Sequence, residues 1–197
     1  DADAIAQQAR VDATTAYNTL AALPATVDLS GQDLGGKTLT PGVYSFSSSA
    51  QLTGNLFLDF LGNPNSNFVF QIGSTLTTAS GSSVSVLNGA SGDGLFWQVG
   101  SSATLGGGTS FTGNIIADQS VTLNAGATII CGRAIALVGA VTMITNAVSN
   151  DCSNGGDLGT GRSDHGTVGF NGTPSVVTTT PEPSSLALLA PGCVGLV

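Results

Sequence analysis

Hydrophobic and polar positions change their period once along this chain, at Pro24. Ahead of it, Ile5, Ala9, Ala13, Ala16, Leu20 and Leu23 recur at intervals of three and four, within an alanine-rich run from residue 2 to 23. Alanine gives up no side-chain entropy in a helix, so the run predicts one amphipathic helix with a narrow stripe of small residues. Asp1 or Asp3 is placed to cap its start, and Pro24 ends it. From Val27 onward the period falls to two. Short runs of Val, Ile, Phe and Thr alternate with Gly, Asn and Ser, which predicts strands and turns and no second helix before residue 150.

The strand runs repeat. "FVFQIGSTLTT" (68–78) aligns without a gap on "LFWQVGSSATL" (95–105), with "YSFSSSAQL" (44–52) ahead of them, and "NIIADQSVTL" (114–123) aligns on "AIALVGAVTM" (134–143). Gln51, Thr77, Thr104, Thr122 and Thr142 then share one position, at intervals of 26, 27, 18 and 20 residues. Irregular spacing near 20 suits a β-helix whose turns vary in length, and the repeats predict a solenoid of about five coils. Alternation sends Leu52, Leu105, Val121, Leu123, Val141 and Met143 inward. Tyr44, Phe46, Phe68, Phe70, Phe96 and Trp97 fall on a neighbouring side, as core or as the seat of the helix.

Composition narrows what such a surface binds. Apolar residues make up 41% of the 197, enough for a core, whereas charged residues are only 8%, against about a quarter in ordinary soluble domains. Ser, Thr, Asn, Gln and Gly must therefore build the surface. With four basic residues and a net charge of −8, no patch neutralises a run of phosphates, which excludes nucleic acid and anionic membrane as partners.

Catalytic chemistry is equally thin. Asp59, Asp93 and Asp118 are isolated and lack basic neighbours in sequence, so neither paired carboxylates nor a carboxylate with a base is available. No histidine lies within the repeats to activate a serine, and His165, the only one, sits in a Gly/Ser/Asn-rich stretch where it is solvated. "SGDG" (91–94) is a turn signal, and no calcium-binding repeat, metal site or cofactor site is expected. Cys131, Cys152 and Cys193 have no zinc-knuckle or redox spacing. The solenoid brings Cys131 and Cys152 to corners of adjacent turns, where a disulfide and two reduced, packed thiols are both open.

These residues carry a resemblance. The order "QQARVDATTAYNTLAALP", "DLSGQDLGGKTLTPGVYSF", "SAQLTGNL", "FVFQIGSTLTTASGSSV", "FWQVGSSATLG" and "GRAIALVGAVTM" resembles the microbial ice-binding protein family over residues 1 to 148. The resemblance implies a mostly β fold, a right-handed β-helix of roughly triangular section with one long α-helix packed alongside. It also implies ice binding by one flat face, with no enzyme activity. Family members carry several dozen residues of strands before the helix, whereas this sequence begins at the helix. A shortened form, or a second chain supplying the strands, is expected, with an open solenoid end near Val43 to Phe46 that invites strand addition and filament assembly.

Two hydroxyl columns compete as the ice-binding face. Threonine offers a methyl and a hydroxyl on a stiff χ1, and strands stacked at about 4.7 to 4.9 Å repeat it at a spacing close to one in ice. The first column holds Thr75, Thr77, Ser102, Thr104, Ser120, Thr122 and Thr142, with Ser49 and Gln51 at its start. The second lies one corner later, where the family pattern of Thr, small residue, any residue, Thr or Asn would fall. Its members are Thr53, Ser80 with Ser83, Gly107 with Ser110, Ala125 with Thr128, and Thr145; Gly107 and Ala125 depart from the pattern. Outward Ser and Thr also arise from plain β-propensity, so the columns alone do not identify a function.

The expected division is a helix over 1–26, a solenoid over 27–150, a flexible linker over 151–180 and a tail over 181–197. The tail, "PEPSSLALLAPGCVGLV", resembles the bacterial PEP-CTERM sorting signal through Pro181, Glu182 and Pro183 and a following apolar run too short to span a bilayer, without the basic cluster. Asn171-Gly-Thr is a glycosylation acceptor sequence. The function expected is an extracellular ice-binding, antifreeze-type protein, secreted or at a bacterial cell surface. Its partner is ice or ordered water, and the tail meets a membrane only transiently. The alternative is a structural or adhesive protein that binds copies of itself or extracellular polysaccharide.

Overall fold

The computed structural model describes residues 4–89 and 93–149. One helix, α1 (Ala4–Ala21), precedes seventeen short strands, all paired in parallel in three sheets. The helix sheet holds, in spatial order, β1 (Val27–Asp28), β3 (Gly42–Phe46), β6 (Asn67–Ile72), β9 (Gly94–Val99), β12 (Asn114–Ala117) and β15 (Ala134–Ala136). The threonine sheet holds β4 (Ala50–Leu52), β7 (Leu76–Thr78), β10 (Ala103–Leu105), β13 (Val121–Leu123) and β16 (Val141–Met143). A third sheet holds β2 (Thr38–Leu39), β5 (Asn55–Asp59), β8 (Ser83–Leu87), β11 (Ser110–Thr112), β14 (Thr128–Ile130) and β17 (Ala147–Ser149). From β3 to β17 the chain visits the sheets in one cyclic order, so each passage stacks on the one before as a coil.

Burial explains the alternation. Outward residues of the helix sheet are apolar where the helix lies: Ala16 and Leu20 pack on Val69, Phe96 and Ile116. The Gln71 amide then fixes the helix end, donating to the Leu20 carbonyl at 2.8 Å, which also accepts from the Leu23 N–H at 3.3 Å, and to the Leu23 carbonyl at 2.7 Å, just beyond the helix. The helix is shorter than the 2–23 run, and its stripe is only partly used, since Ala9 and Leu23 are exposed. Asp1 and Asp3, expected as caps, lie outside the described residues.

The core is a stack of equivalent residues. Tyr44, Phe70 and Trp97 are in register on β3, β6 and β9, and their rings stack, with centroids 5.3 Å apart for Tyr44 and Phe70 and 3.9 Å for Phe70 and Trp97. Trp97 is fully buried and places its indole N–H on the Thr112 carbonyl at 3.1 Å, satisfying its one polar atom. Of the aromatic set, Phe96 belongs to the helix seat and the other five to the core.

Three expectations are corrected. Val141 and Met143 do continue the inward column, in register with Val121 and Leu123, but they are 39% and 45% exposed because β16 is the last strand of its sheet among the described residues. The end near Val43 to Phe46 is not open: β1 pairs with β3, β2 pairs with β5, Asp33 bridges to Gln51, and Leu29 and Leu34 bury against the core. Among the described residues, the exposed apolar end is the opposite one, at β16 and β17. Thr145 does not continue the second column: with φ 50° it takes, in its own corner, the left-handed place that Gly81, Gly108 and Gly126 hold in the earlier corners rather than that of Ser80, Gly107 and Ala125, and the partner of Thr128 is Ala147. That corner is one residue shorter than its neighbour, 144–146 against 124–127. Cys131 is disulfide-bonded, while Cys152 and Cys193 lie outside the described residues.

Replacing Trp97 by Ala removes a fully buried ring and should cost about 3–5 kcal/mol, read as a lower urea midpoint at unchanged m-value. Gln71→Ala removes the side-chain donor shared by the Leu20 and Leu23 carbonyls and should cost about 1–2 kcal/mol, with near-normal core fluorescence and faster exchange of helix amides.

Candidate functional site: the outer face of the threonine sheet

Three-residue strands leave each coil of the threonine sheet one outward residue, and the parallel register aligns them. Gln51, Thr77, Thr104, Thr122 and Thr142 form one row across β4, β7, β10, β13 and β16. A second row, two residues earlier, is stacked by the hydrogen bonds of Ala50, Leu76, Ala103 and Val121 amides to Thr75, Ser102, Ser120 and Ala140 carbonyls. Ser49 begins that row, and Thr75 donates to its hydroxyl at 2.8 Å. The first predicted column is therefore assembled as two adjacent hydroxyl rows, ended at residue 140 by alanine.

What the hydroxyls bond to separates this face from the other. Among the described residues, Thr77, Thr104, Thr122 and Thr142 make no side-chain hydrogen bond, and no strand of the sheet carries a charged residue. Beneath them, Leu52, Leu76, Leu105, Val121 and Leu123 are fully buried, so the backbone carrying the hydroxyls is anchored from inside. The face presents water with methyls and uncommitted hydroxyls at fixed positions.

The third sheet is built differently. Asn55, Ser83, Ser110 and Thr128 share one outward row. Ser83 spends its hydroxyl on Asn55 at 2.9 Å, and Thr128 turns its own toward the Thr109 carbonyl at 3.4 Å. The next row passes through Phe57, Ser85, Thr112 and Ile130, and the Thr112 hydroxyl donates to the Val84 carbonyl at 2.9 Å. Exposed Leu87 and Ile130 break the surface further. Ser80 sits with Gly107 and Ala125 at the preceding corner, where Gly81, Gly108 and Gly126 take the left-handed backbone that closes each turn.

Two polar residues at this corner escaped the repeat pattern. Thr78 and Thr109 are buried with their hydroxyls 2.8 Å apart. The signal was available at Thr78, an inward position in line with Leu52 and Leu105 but occupied by a polar residue.

Among the described residues, the carboxylates of Asp28, Asp33 and Asp59 tie loops. Burial raises the pKa of Asp33, but hydrogen bonds from Thr53 and Gly35 and the charge of Lys37 outweigh it and leave it below the ordinary value. Asp59 is lowered by the Asn88 amide and the Leu61 N–H, and Asp28 by Ser30. The described residues include no group of three or more metal-binding side chains. A cleft of about 480 Å³ between α1 and the helix sheet is lined by Ala13, Phe96, Asn114, Ile116 and Arg133, with no pair of carboxylates.

A family model described as ice-binding-like matches residues 1–149. The chain belongs to that family. It is 56% identical over 196 residues to an ice-binding protein from a Nostoc species, covering 99% of this chain and 66% of that protein. It is 38% identical over 151 residues to ice-binding protein 1 of Shewanella frigidimarina, covering 74% of this chain and 17% of that one. The chain thus spans just under two thirds of one relative's length and about a sixth of the other's. Among solved structures, an ice-binding protein from an Antarctic biological consortium superimposes with a TM-score of 0.70 at 50% identity, over 75% of this chain and 67% of that one. One from the Antarctic ascomycete Antarctomyces psychrotrophicus gives 0.69 at 42%, over 74% and 71%. These family members share the mostly β, parallel-sheet architecture with one helix. No described helix is long and apolar enough to cross a membrane. The Pro181, Glu182, Pro183 signal, His165 and Asn171 fall outside the described residues.

Lowered carboxylate pKa values stabilise the fold above the unfolded-state value near 4, and this contribution disappears as pH falls through the folded-state values. Circular dichroism during acid titration should therefore show constant thermal stability from neutral pH to about 5 and a decline below about 4. Asp33→Asn should remove part of that decline.

Proposed function

We propose that this chain is an ice-binding, antifreeze-type protein that acts through the outer face of the threonine sheet. The observation that carries the reading is the row Thr77, Thr104, Thr122 and Thr142, in register and free of protein partners. Water ordered on such a face meets hydroxyls it can bond and methyls around which it cages, on a backbone that does not rearrange to receive it. Preorganisation matters because a mobile array would lose its ordering entropy on each contact with the crystal. The hydroxyls of the third sheet, by contrast, are partly committed to protein carbonyls and amides.

The wider reading follows from the same fold. The chain is a right-handed solenoid of about five coils, the hand that parallel crossovers almost always take. It comprises the helical segment 1–26, the solenoid 27–150, a linker 151–180 and a PEP-CTERM-like tail 181–197. It is non-enzymatic and works outside a bacterial cell, secreted or at the surface. Its partner is ice or ordered water.

One observation favours a second reading, self-assembly through strand addition. Among the described residues, Val141, Met143 and Val148 lie exposed in core register at the end formed by β15, β16 and β17, where an added strand would extend one sheet and an added coil all three. Sedimentation velocity at rising concentration separates the readings: association abolished by Met143→Lys supports assembly, and a concentration-independent monomer removes it.

Ice-affinity partitioning and thermal hysteresis test the main proposal. Thr104→Tyr with Thr122→Tyr should reduce both by roughly tenfold or more, a loss of at least about 1.4 kcal/mol in an equilibrium constant. Ser83→Tyr with Ser110→Tyr should leave them within about twofold. The reverse pattern would move the site to the third sheet, and wild-type protein excluded from growing ice would end the proposal. With no titrating group on the face, the activity should be flat between about pH 5 and 9.

A further inference from the structure

The corner between the threonine sheet and the third sheet contains a set of buried polar groups that the solenoid does not need for its backbone pairing. Thr78 is 3% exposed and Thr109 fully buried. The Gly106 amide donates to the Thr78 hydroxyl at 2.9 Å, the two threonine hydroxyls are 2.8 Å apart, and Thr109 donates to the Ala79 carbonyl at 3.2 Å. Each hydroxyl has a single proton, so these contacts have one consistent direction. Thr109 gives its proton to Ala79, hence the shared bond runs from Thr78 to Thr109, and Thr78 in turn accepts from Gly106.

This chain of bonds crosses between coils three times. Gly106 and Thr109 belong to the corner after β10, whereas Thr78 ends β7 and Ala79 opens the corner after it. The backbones there are already as close as they can be: a Cβ on Gly106 would lie 2.6 Å from the Thr78 carbonyl oxygen and 2.7 Å from the Ser80 nitrogen. Residues 106–108 are three consecutive glycines, with no side chain to hold the turn. The same inner edge is tied one coil earlier by Ser82, which donates to the Leu52 carbonyl at 3.1 Å and accepts from the Gly54 amide. In the last described coil, Asn146 donates to the carbonyls of Asn124 at 2.7 Å and Ala127 at 2.8 Å.

Thr78 and Thr109 flank the candidate face beside its glycine-rich corner. Thr78 follows Thr77 directly, and Gly106 lies two residues after Thr104. We propose that Thr78 and Thr109 are positioning residues for ice binding, a buried hydroxyl pair that fixes the corner of the glycine-rich turn and thereby the alignment of Thr77 with Thr104. The inference rests on the threonine sheet being the ice-binding face. An apolar pair of the same shape would fill the corner, but it would release the Gly106 amide and Ala79 carbonyl from side-chain control and let the turn move while the fold persists. The double substitution removes the hydroxyl pair together but leaves the Gly106 amide and the Ala79 carbonyl without their side-chain partners, so it also lowers stability, and folding must be read separately from ice activity.

The test compares wild type, the double variant Thr78→Val with Thr109→Val, and Thr109→Ser, each shown folded near 0 °C by circular dichroism. Readouts are ice-affinity partitioning and thermal hysteresis. The double variant should remain fully folded yet lose roughly fivefold or more in both, about 1 kcal/mol of recognition. Thr109→Ser, which keeps the hydroxyl, should retain near wild-type activity. A folded double variant with unchanged ice readouts overturns the positioning role alone, as does a Thr109→Ser variant that loses as much as the double variant. If the double variant does not fold, Thr109→Val and Thr109→Ser decide it, and equal ice activity in these two overturns the proposal. Wild-type protein without ice affinity overturns both this inference and the face on which it rests, so the two failures remain distinct.

Discussion

In-register parallel pairing is the constraint on which everything else depends. Each strand of the threonine sheet has three residues, so a slip by one would exchange its outward threonine for buried leucine or valine on every coil above. The core prevents this. Leu76, Ala103 and Val121 are fully buried one position before Thr77, Thr104 and Thr122, and Tyr44, Phe70 and Trp97 stack in the same register on the helix sheet. Apolar burial on the inside thus sets the repeat of hydroxyls on the outside, and flatness of the face is a by-product of core packing rather than of any contact within the face.

Much of this could be read from residues alone because two periods were clean. The helix and the strand repeats follow from spacing, and the aligned threonines were found by matching "FVFQIGSTLTT" to "LFWQVGSSATL". Harder to read were features that depend on what lies at the ends. Val141 and Met143 carry the inward pattern, yet pattern does not say whether another coil covers them. Thr145 was misplaced because the last corner lost one residue, and a corner has no periodicity from which that could be seen. Ala9 and Leu23 belong to the helical stripe yet stay exposed, Ala9 on the cleft that separates this part of α1 from Phe96, Ile116 and Ile135.

Choosing between the two hydroxyl columns needed hydrogen-bond partners, which sequence does not give. Both columns contain Ser and Thr at outward positions. Only the structure distinguishes Ser83, whose hydroxyl is tied to Asn55, from Thr104, whose hydroxyl meets nothing but solvent among the described residues. The same holds inside the corner, where Thr109 bonds Thr78 at a position that leucine holds on the neighbouring coils, Leu52 and Leu105. Uncommitted hydroxyls outside and committed ones inside are the two halves of one arrangement.

The unequal coil lengths have a further meaning. Connections from the helix sheet to the threonine sheet take three residues in four coils and four in the last, whereas those from the third sheet back to the helix sheet range from Gly113 alone to the seven residues 60–66. Length variation is therefore concentrated at the one vertex that does not border the threonine sheet. Insertions and deletions accumulating there would alter the outline of the molecule while leaving the hydroxyl lattice untouched, which makes that vertex the place where this scaffold is free to diverge.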